Sequence, residues 1–362
     1  RDSGNALWYK NKSVDGNDSI ANTSVISHAG KIYAIVEAGG YPVEIDQELN
    51  SLNTKPFYGD ENRGFTAHPK LDPNTGELHA MCYDYANKFE TIDYVVIDKN
   101  GSHKKTQTIP FETRSMLHEC AITENYVLVL DLSVTFSLER LGGGYFPFAW
   151  DDNHQSRIGL LDRNDESQDV RWFEIDRTYF FHTFNAYEDK NGDVVVSATA
   201  YDRLFDKDRN GPFTESSPHL TRWILDLKSG SAKSEQLDDR SIEFPRIHPD
   251  LVSKSNQFGY ALASSNSKKP DFKEIVKYDF VNDSSEVYEY GSGNFGAEPV
   301  FVPSEGANDE DEGYLLSLVY DQETDKSDLI ILNAQEVSSG PLAKVHLPQR
   351  VPFGFHGDWI NI

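Results

Sequence analysis

The feature of this sequence that most constrains its fold is a series of short apolar runs, rich in β-branched and aromatic residues, that end at Asp, Asn or Gly. Typical runs cover residues 31–37, 126–131 and 193–200. Turn-rich pieces such as 72–76 (DPNTG) separate them, which is the pattern of strands and hairpins. No stretch keeps a 3.6-residue periodicity, so we predict an all-β chain with few, short helices.

The strand pairs recur at about the 40–50-residue spacing of a propeller blade. A sandwich array of strands would give a similar pattern. No stretch has the composition of an interdomain linker. We therefore predict one β-propeller domain that covers residues 1–362.

Composition excludes several classes of function. The chain has 34 Lys and Arg against 59 Asp and Glu, a formal net charge of -25 with His neutral. A protein that binds nucleic acid through the phosphate backbone needs a basic face, so nucleic acid is not an expected partner. No apolar run approaches the roughly 18 residues that span a bilayer. We expect a cytoplasmic, monomeric protein, with peripheral membrane contact at most.

Four of the eleven histidines stand at the edges of apolar segments: His68, His118, His182 and His356. The innermost strands of all propeller blades run along one axis, so imidazoles far apart in sequence could converge on one point. Four neutral imidazoles suit iron, copper, nickel or zinc, and ligand type alone does not decide among them. The alternative is four separate core histidines that each donate to a backbone carbonyl. The residues alone leave both interpretations open.

Three glutamates lie inside apolar stretches, where a carboxylate is costly unless it is paired: Glu37, Glu243 and Glu298. A metal-bound histidine commonly donates its second ring N–H to a carboxylate, which fixes its tautomer and orientation. The three glutamates could orient three of the histidines in this way. For any one of them alone, a glutamate that caps a turn at the end of a strand is the alternative.

These motifs resemble those of the carotenoid cleavage oxygenases, also called the retinal-pigment-epithelium or lignostilbene dioxygenase superfamily. The resemblance runs from about Ala21 to the C-terminus, in the family's order and spacing. The specific segments are 64–69 (GFTAHP), 118–123 (HECAIT), 181–188 (FHTFNAYE), 243–247 (EFPRI), 298–303 (EPVFVP), 311–316 (DEGYLL) and 352–359 (PFGFHGDW).

The resemblance implies a seven-bladed β-propeller with Fe(II) on its axis and loops that cap one face. The four histidines would be the iron ligands, and the three glutamates would orient three of them. Thr23 falls where the family places a small side chain whose methyl crowds one open iron position. Family members extend further at the N-terminus, so the first blade is expected to be incomplete. Glu119 stands where Asp is common.

The activity that the resemblance implies is O2-dependent cleavage of a conjugated C=C bond into two carbonyl products. Members that cleave hydroxystilbenes tend to carry Lys at the position of Val36, where the amine can hold a phenol oxygen. A valine there favours an apolar isoprenoid substrate, a carotenoid or apocarotenoid. A stilbene-cleaving dioxygenase, or a propeller that binds carotenoid or lipid without catalysis, are the alternatives.

A polyene offers only dispersion and π contacts, so aromatic residues should line its tunnel. The candidates near the histidines are Phe65, Phe181, Phe184, Phe353 and Phe355, although each could equally be propeller core. The apolar, Gly-rich segment 138–150 is predicted to be a mobile loop near the substrate entrance, where an exposed patch would contact a membrane. A loop folded over the blades is the alternative.

Overall fold

The protein is described by a computed structural model, which covers residues 21–38, 40–54, 57, 64–85, 88–211, 215–264 and 271–361. Antiparallel strands dominate these residues, and the one α-helix among them is α1 (Leu138–Gly142). Short 3-10 turns occupy Pro249–Leu251 and Val337–Ser339. The prediction of an all-β chain with few, short helices is confirmed.

The chain divides into two compact units. Unit 1 comprises Arg1–Leu71, Thr75–Glu112 and Gly354–Ile362, and unit 2 comprises Asp72–Asn74 and Thr113–Phe353. Unit 1 contains two four-stranded antiparallel sheets in which consecutive strands are neighbours. Their strands are β1 (Ser24–His28), β2 (Lys31–Ile35), β3 (Val43–Ile45) and β4 (Ser51–Thr54), then β5 (Lys70–Leu71), β6 (Leu78–Tyr83), β7 (Thr91–Ile97) and β8 (His103–Pro110).

The second sheet of unit 1 forms most of that unit's core. Strand β6 is buried at every position, which explains its nearly continuous apolar sequence. The core cluster joins its side chains to Ile35 of β2 and to Phe65 from the loop before β5.

Unit 2 contains four further sheets of four or five strands, and a separate two-stranded hairpin. The strands of the first sheet are β9 (Ala121–Ile122), β10 (Tyr126–Asp131), β13 (Arg157–Asp162) and β14 (Arg171–Glu174), and the hairpin is β11 (Val134–Phe136) with β12 (Phe148–Trp150). The next sheet has β15 (Tyr179–Glu188), β16 (Val194–Tyr201), β17 (His219–Asp226) and β18 (Ser231–Gln236). The third has β19 (Ser241–Arg246), β20 (Phe258–Ser264), β21 (Glu274–Asp279) and β22 (Ser284–Glu289). The last has β23 (Asn294–Gly296), β24 (Val300–Pro303), β25 (Gly313–Asp321), β26 (Lys326–Asn333) and β27 (Pro341–His346).

The prediction of seven blades is wrong for the described part of the chain, where six sheets of four or five strands are present. The number seven came from the family resemblance and not from a count of strands in this sequence. The remaining strands, β11 and β12, pair with each other and are inserted between β10 and β13. They therefore add a hairpin and do not add a sheet. Residues 1–20 lie outside the described residues, and the expectation of an incomplete N-terminal blade stays a prediction.

Two further predictions, a single domain and the absence of a membrane-spanning segment, concern the chain as a whole. The single domain over residues 1–362 stays a prediction. Within the described residues, no helix combines the length and apolar character that crossing a membrane requires.

Core packing should dominate the stability of the last sheet, and two leucines provide a matched test. Leu315 of β25 is fully buried, whereas Leu342 of the outer strand β27 is 62% exposed. The Leu315→Ala variant should lose about 2–5 kcal/mol of unfolding free energy, because a cavity replaces buried methyl groups. The Leu342→Ala variant should lose less than about 0.5 kcal/mol. Chemical denaturation of both variants checks this, and equal losses would contradict the assigned core.

Candidate metal centre

His182 projects from an irregularity in the pairing of β15 with β16. Phe180 pairs with Ala200 and Thr183 pairs with Ala198, so the register shifts by one residue between them. A bulge of this kind re-aims a side chain out of the regular alternation of a strand. The His182 side chain is buried, with 8% of its surface exposed.

His118 lies in the segment just before β9 and faces His182. The backbone N–H of Met116 donates to the Val134 carbonyl at 2.8 Å, and the Tyr179 hydroxyl donates to the Met116 carbonyl at 3.3 Å. These bonds fix the segment that carries His118. Its Nε2 lies 3.3 Å from Nε2 of His182, and the two rings are inclined at 73°.

The Glu243 carboxylate lies on the other side of the His182 ring. Its Oε2 is 2.6 Å from Nδ1 of His182, and it also accepts the Phe244 backbone N–H at 2.6 Å. Its Oε1 accepts from the Thr199 hydroxyl at 3.3 Å and from the Tyr201 hydroxyl at 3.4 Å. A carboxylate so fully supplied with donors favours the Nδ1–H tautomer of His182, which leaves the Nε2 lone pair facing His118.

Backbone strain and burial both help to build this arrangement. Phe244 has a φ of 56° at a register irregularity in β19, a conformation that costs a non-glycine residue about 1–3 kcal/mol. Its ring stacks on His182, with centroids 5.6 Å apart. Burial raises the pKa of the Tyr201 phenol well above its usual value, and Glu243 adds to this shift. The phenol therefore stays protonated and donates to Glu243.

His68 and His356 lie together in unit 1. Their ring centroids are 4.4 Å apart and the rings are nearly perpendicular, at 87°. The His68 backbone N–H donates to Thr66 Oγ1 at 3.2 Å. The His356 backbone N–H donates to the Thr23 carbonyl at 3.2 Å, so the predicted crowding residue is a backbone neighbour of a predicted ligand.

The other two predicted orienting glutamates have different surroundings. Glu298 is 6% exposed and accepts two hydrogen bonds from the Arg246 guanidinium, at 3.0 and 2.9 Å. This is a bidentate pair of the strong, charge-assisted type. Glu37 follows β2 and is half-buried. For both residues, the orientation of a histidine stays a prediction.

The five aromatic tunnel candidates fall in three kinds of position. Phe181 makes an edge contact with the His118 ring, with centroids 5.1 Å apart. Phe65 and Phe184 belong to hydrophobic core clusters, one in each unit. Phe353 and Phe355 are 64% and 56% exposed. The tunnel itself stays a prediction, and Phe181 is the candidate with a contact to a predicted ligand.

The segment 138–150 is anchored by one buried arginine. The Arg140 guanidinium donates to the carbonyls of Phe148 at 3.3 Å and Asp206 at 2.7 Å, and also to the Phe205 carbonyl. Leu138 and Leu141 of α1 remain 68% and 52% exposed. The segment thus folds onto its own unit and still presents an apolar surface, and its contact with a membrane stays a prediction.

Sequence reasoning missed the role of Glu119. Its buried carboxylate accepts the backbone N–H of Thr183, which follows His182 in β15. The signal was present, because Glu119 lies in an apolar stretch just as Glu243 does. Thr199 and Tyr201, the other donors to Glu243, had no distinguishing sequence signal.

The all-β fold and the adjacent histidines place this protein in the class of β-propeller proteins with a candidate histidine metal centre. Similarity to known proteins gives its family. Residues 2–361 match the family described as retinal pigment epithelial membrane protein, and the chain belongs to that family. It is 36% identical to a carotenoid cleavage oxygenase of Mycobacterium tuberculosis, over 93% of this chain and 76% of that protein. The predicted family membership is therefore confirmed.

The solved structures that are similar to this chain include the following two. A lignostilbene dioxygenase of Pseudomonas brassicacearum is 30% identical, with a TM-score of 0.85 over 95% of this chain and 76% of that one. A mutant of the Synechocystis apocarotenoid oxygenase has a TM-score of 0.86 at 23% identity, over 95% of this chain and 75% of that one. The second likeness shows the fold alone, which is a β-propeller fold.

The bond between Glu243 and His182 predicts a graded loss of metal affinity. The Glu243→Gln variant keeps an acceptor but removes the charge, so divalent metal should bind about tenfold more weakly, and Glu243→Ala should approach a 100-fold loss. Titration of the purified chain with Co(II) measures both. Glu310→Gln is the control, since Glu310 accepts backbone N–H groups of Gln257 and Phe258. A loss of the same size in this control would refute the assigned role of Glu243.

Proposed function

We propose that this chain is a non-haem Fe(II) dioxygenase that cleaves a conjugated C=C bond of a carotenoid or apocarotenoid. The observation that carries this proposal is the facing pair of imidazole nitrogens of His118 and His182, 3.3 Å apart, with Glu243 bonded behind His182. Two ring nitrogens at this separation can bind at neighbouring coordination positions of one metal ion. For comparison, bonds from histidine nitrogen to zinc are about 2.0–2.1 Å long.

In this proposal the four histidines together hold one iron, which is the ligand set that the family resemblance implies. Each of the four side chains offers one ring nitrogen as a ligand atom. Neutral imidazoles fit divalent iron, although they would also fit copper, nickel or zinc. Iron is preferred because it is the metal that the family resemblance implies.

The protein groups in this proposal bind and orient. Glu243 holds the proton on Nδ1 of His182, so Nε2 stays available as a ligand, and Glu37 and Glu298 would orient two other histidines. Thr23 would narrow one open position at the iron. When bound, the iron supplies the redox chemistry with O2.

The balance of the reaction is R–CH=CH–R′ + O2 → R–CHO + R′–CHO. Both oxygen atoms enter the products, and no proton is gained or lost overall. The reaction therefore requires neither a protein nucleophile nor a net proton donor, and the protein contributes position and the exclusion of water.

An apolar, conjugated substrate suits the aromatic side chains beside the histidines. Phe181 contacts His118, and its ring is 6.2 Å from that of Phe205. Phe205 continues to Phe146 at 4.8 Å, and Phe146 to Phe148 at 5.6 Å. This series leads from His118 towards the segment that carries α1, so a polyene could lie along it with dispersion and π contacts.

The substrate class has one specific competitor. The 30% identity to a lignostilbene dioxygenase favours a phenolic stilbene as the second candidate. Val36 opposes that candidate, because its side chain cannot bond to a phenol. The name of the Mycobacterium tuberculosis relative supports a carotenoid.

Iron binding and O2-dependent cleavage should both depend on His182. After anaerobic loading with Fe(II), the chain should hold about one iron and convert β-carotene or an apocarotenal to aldehydes under O2. The His182→Ala variant should lose both properties. The control is His219→Ala, since His219 lies in the same unit and its Nδ1 bonds to the Arg240 carbonyl. Metal analysis and mass spectrometry of products provide the two readouts.

The possible outcomes separate the alternatives. Cleavage of resveratrol without cleavage of any carotenoid would establish the stilbene candidate and overturn the inference from Val36. Bound iron with an intact polyene under O2 would indicate a binding protein. Equal iron content in the wild type and the His182→Ala variant would refute the proposed ligand set.

Phe181 should affect substrate use without affecting iron. The Phe181→Leu variant should lower kcat/KM for the polyene by about tenfold, because an aromatic contact of roughly 0.5–1.5 kcal/mol is lost together with ring area. Iron content should not change. Phe173→Leu is the control, since Phe173 of β14 is fully buried in the core. This control should lower the unfolding temperature and leave kcat/KM unchanged. An unchanged kcat/KM in Phe181→Leu together with a lowered kcat/KM in Phe173→Leu would show that Phe181 does not contact the substrate.

A further inference from the structure

We infer that Glu119 is a positioning residue that sets the spacing between His118 and His182; this inference rests on the proposed metal site. Glu119 is 5% exposed, and its Oε2 accepts the backbone N–H of Thr183. Each partner in this hydrogen bond follows directly after one of the two histidines. The bond therefore closes a short link that runs from one imidazole to the other.

Neither histidine is placed by regular sheet pairing alone. Thr183 lies between two register irregularities of β15, one on the Phe180 side and one on the Asn185 side. His118 lies outside the strands, before β9, which pairs with β10 through only two residue pairs. A side-chain acceptor with a fixed position can hold the main chain in place where a continuous series of backbone hydrogen bonds between strands would otherwise do so.

The position of Glu119 also explains why a buried carboxylate is tolerated there. A charged carboxylate accepts a stronger hydrogen bond from a backbone N–H than a neutral acceptor does. The Thr183 hydroxyl has no hydrogen-bonding partner among the described residues. The link to Glu119 therefore runs through the Thr183 backbone N–H and fixes the main chain that carries His182.

Glu188 provides a matched control at the opposite end of the same strand. Its carboxylate accepts from Thr123 Oγ1 at 2.7 Å, from the Asn125 N–H at 2.9 Å and from Asn125 Nδ2 at 2.8 Å. Like Glu119, it ties the chain around β9 to β15, but it does so at the end remote from the His182 ring in sequence. Loss of either carboxylate should cost stability, whereas only Glu119 should change the metal site.

The test compares Co(II) binding by the full chain in five forms: wild type, Glu119→Met, Glu119→Gln, Glu188→Met and His182→Ala. Methionine keeps the length and packing of Glu119 but cannot replace its oxygen acceptor, so Co(II) affinity should fall about 10–100-fold. The visible absorption spectrum of the bound Co(II) should also change. Glutamine keeps a carbonyl acceptor and should restore both properties close to those of the wild type. Glu188→Met should lower the unfolding temperature but leave the spectrum and affinity unchanged.

Three results would overturn the inference. The first is wild-type Co(II) affinity and spectrum in Glu119→Met, and the second is an equal loss in Glu188→Met. The third is failure of Glu119→Gln to restore binding, which would assign the effect to charge and not to the hydrogen bond. Equal Co(II) binding by the wild type and His182→Ala would instead show that the proposed metal site is wrong, and the inference would fail with it.

Discussion

The arrangement of the candidate site depends on a buried carboxylate, that of Glu243. A carboxylate that is 3% exposed would be costly without partners. Here His182 Nδ1 and the Phe244 N–H share one oxygen, and the hydroxyls of Thr199 and Tyr201 reach the other. The four donors come from three strands, β15, β16 and β19. The same bonds that stabilise the charge therefore fix the tautomer and the direction of the His182 ring.

Irregular backbone makes these contacts possible. A regular strand sends alternate side chains to opposite faces, so His182 and Phe184 would share a face and Phe181 would lie opposite. The structure instead places both Phe181 and His182 against His118, whereas Phe184 packs in a core cluster with Leu220 and Ile242. The register shifts on both sides of Thr183 account for this difference. Phe244, with its positive φ, is a second irregular position, and it brings both an N–H and a ring to the site.

Much of the fold could be predicted from the sequence, because short apolar runs and turn residues are local signals. The number of sheets could not, since it depends on which strands pair, and the hairpin of β11 and β12 looks like any other strand pair in sequence. A glutamate in an apolar stretch pointed correctly to a buried Glu243. Glu119 carries the same signal, but its bond to the Thr183 backbone N–H has no counterpart in the sequence pattern. Bulges have no comparable signal, so it was not predictable that Phe181 and His182 both contact His118 while Phe184 packs in a core cluster.

The proposed site would keep its negative charges one step away from the metal. Four neutral imidazoles leave the full charge of a divalent ion uncompensated by its direct ligands. Glu243 sits behind His182, and the buried Glu119 bonds to the backbone beside that histidine. The Glu243 carboxylate would raise the basicity of the His182 imidazole and lower the electrostatic cost of the ion without occupying a coordination position. Glu119 would act through the position of the main chain and not through its charge. Coordination positions at the ion would then stay open for O2 and for an uncharged substrate, whereas a carboxylate ligand would occupy one of them.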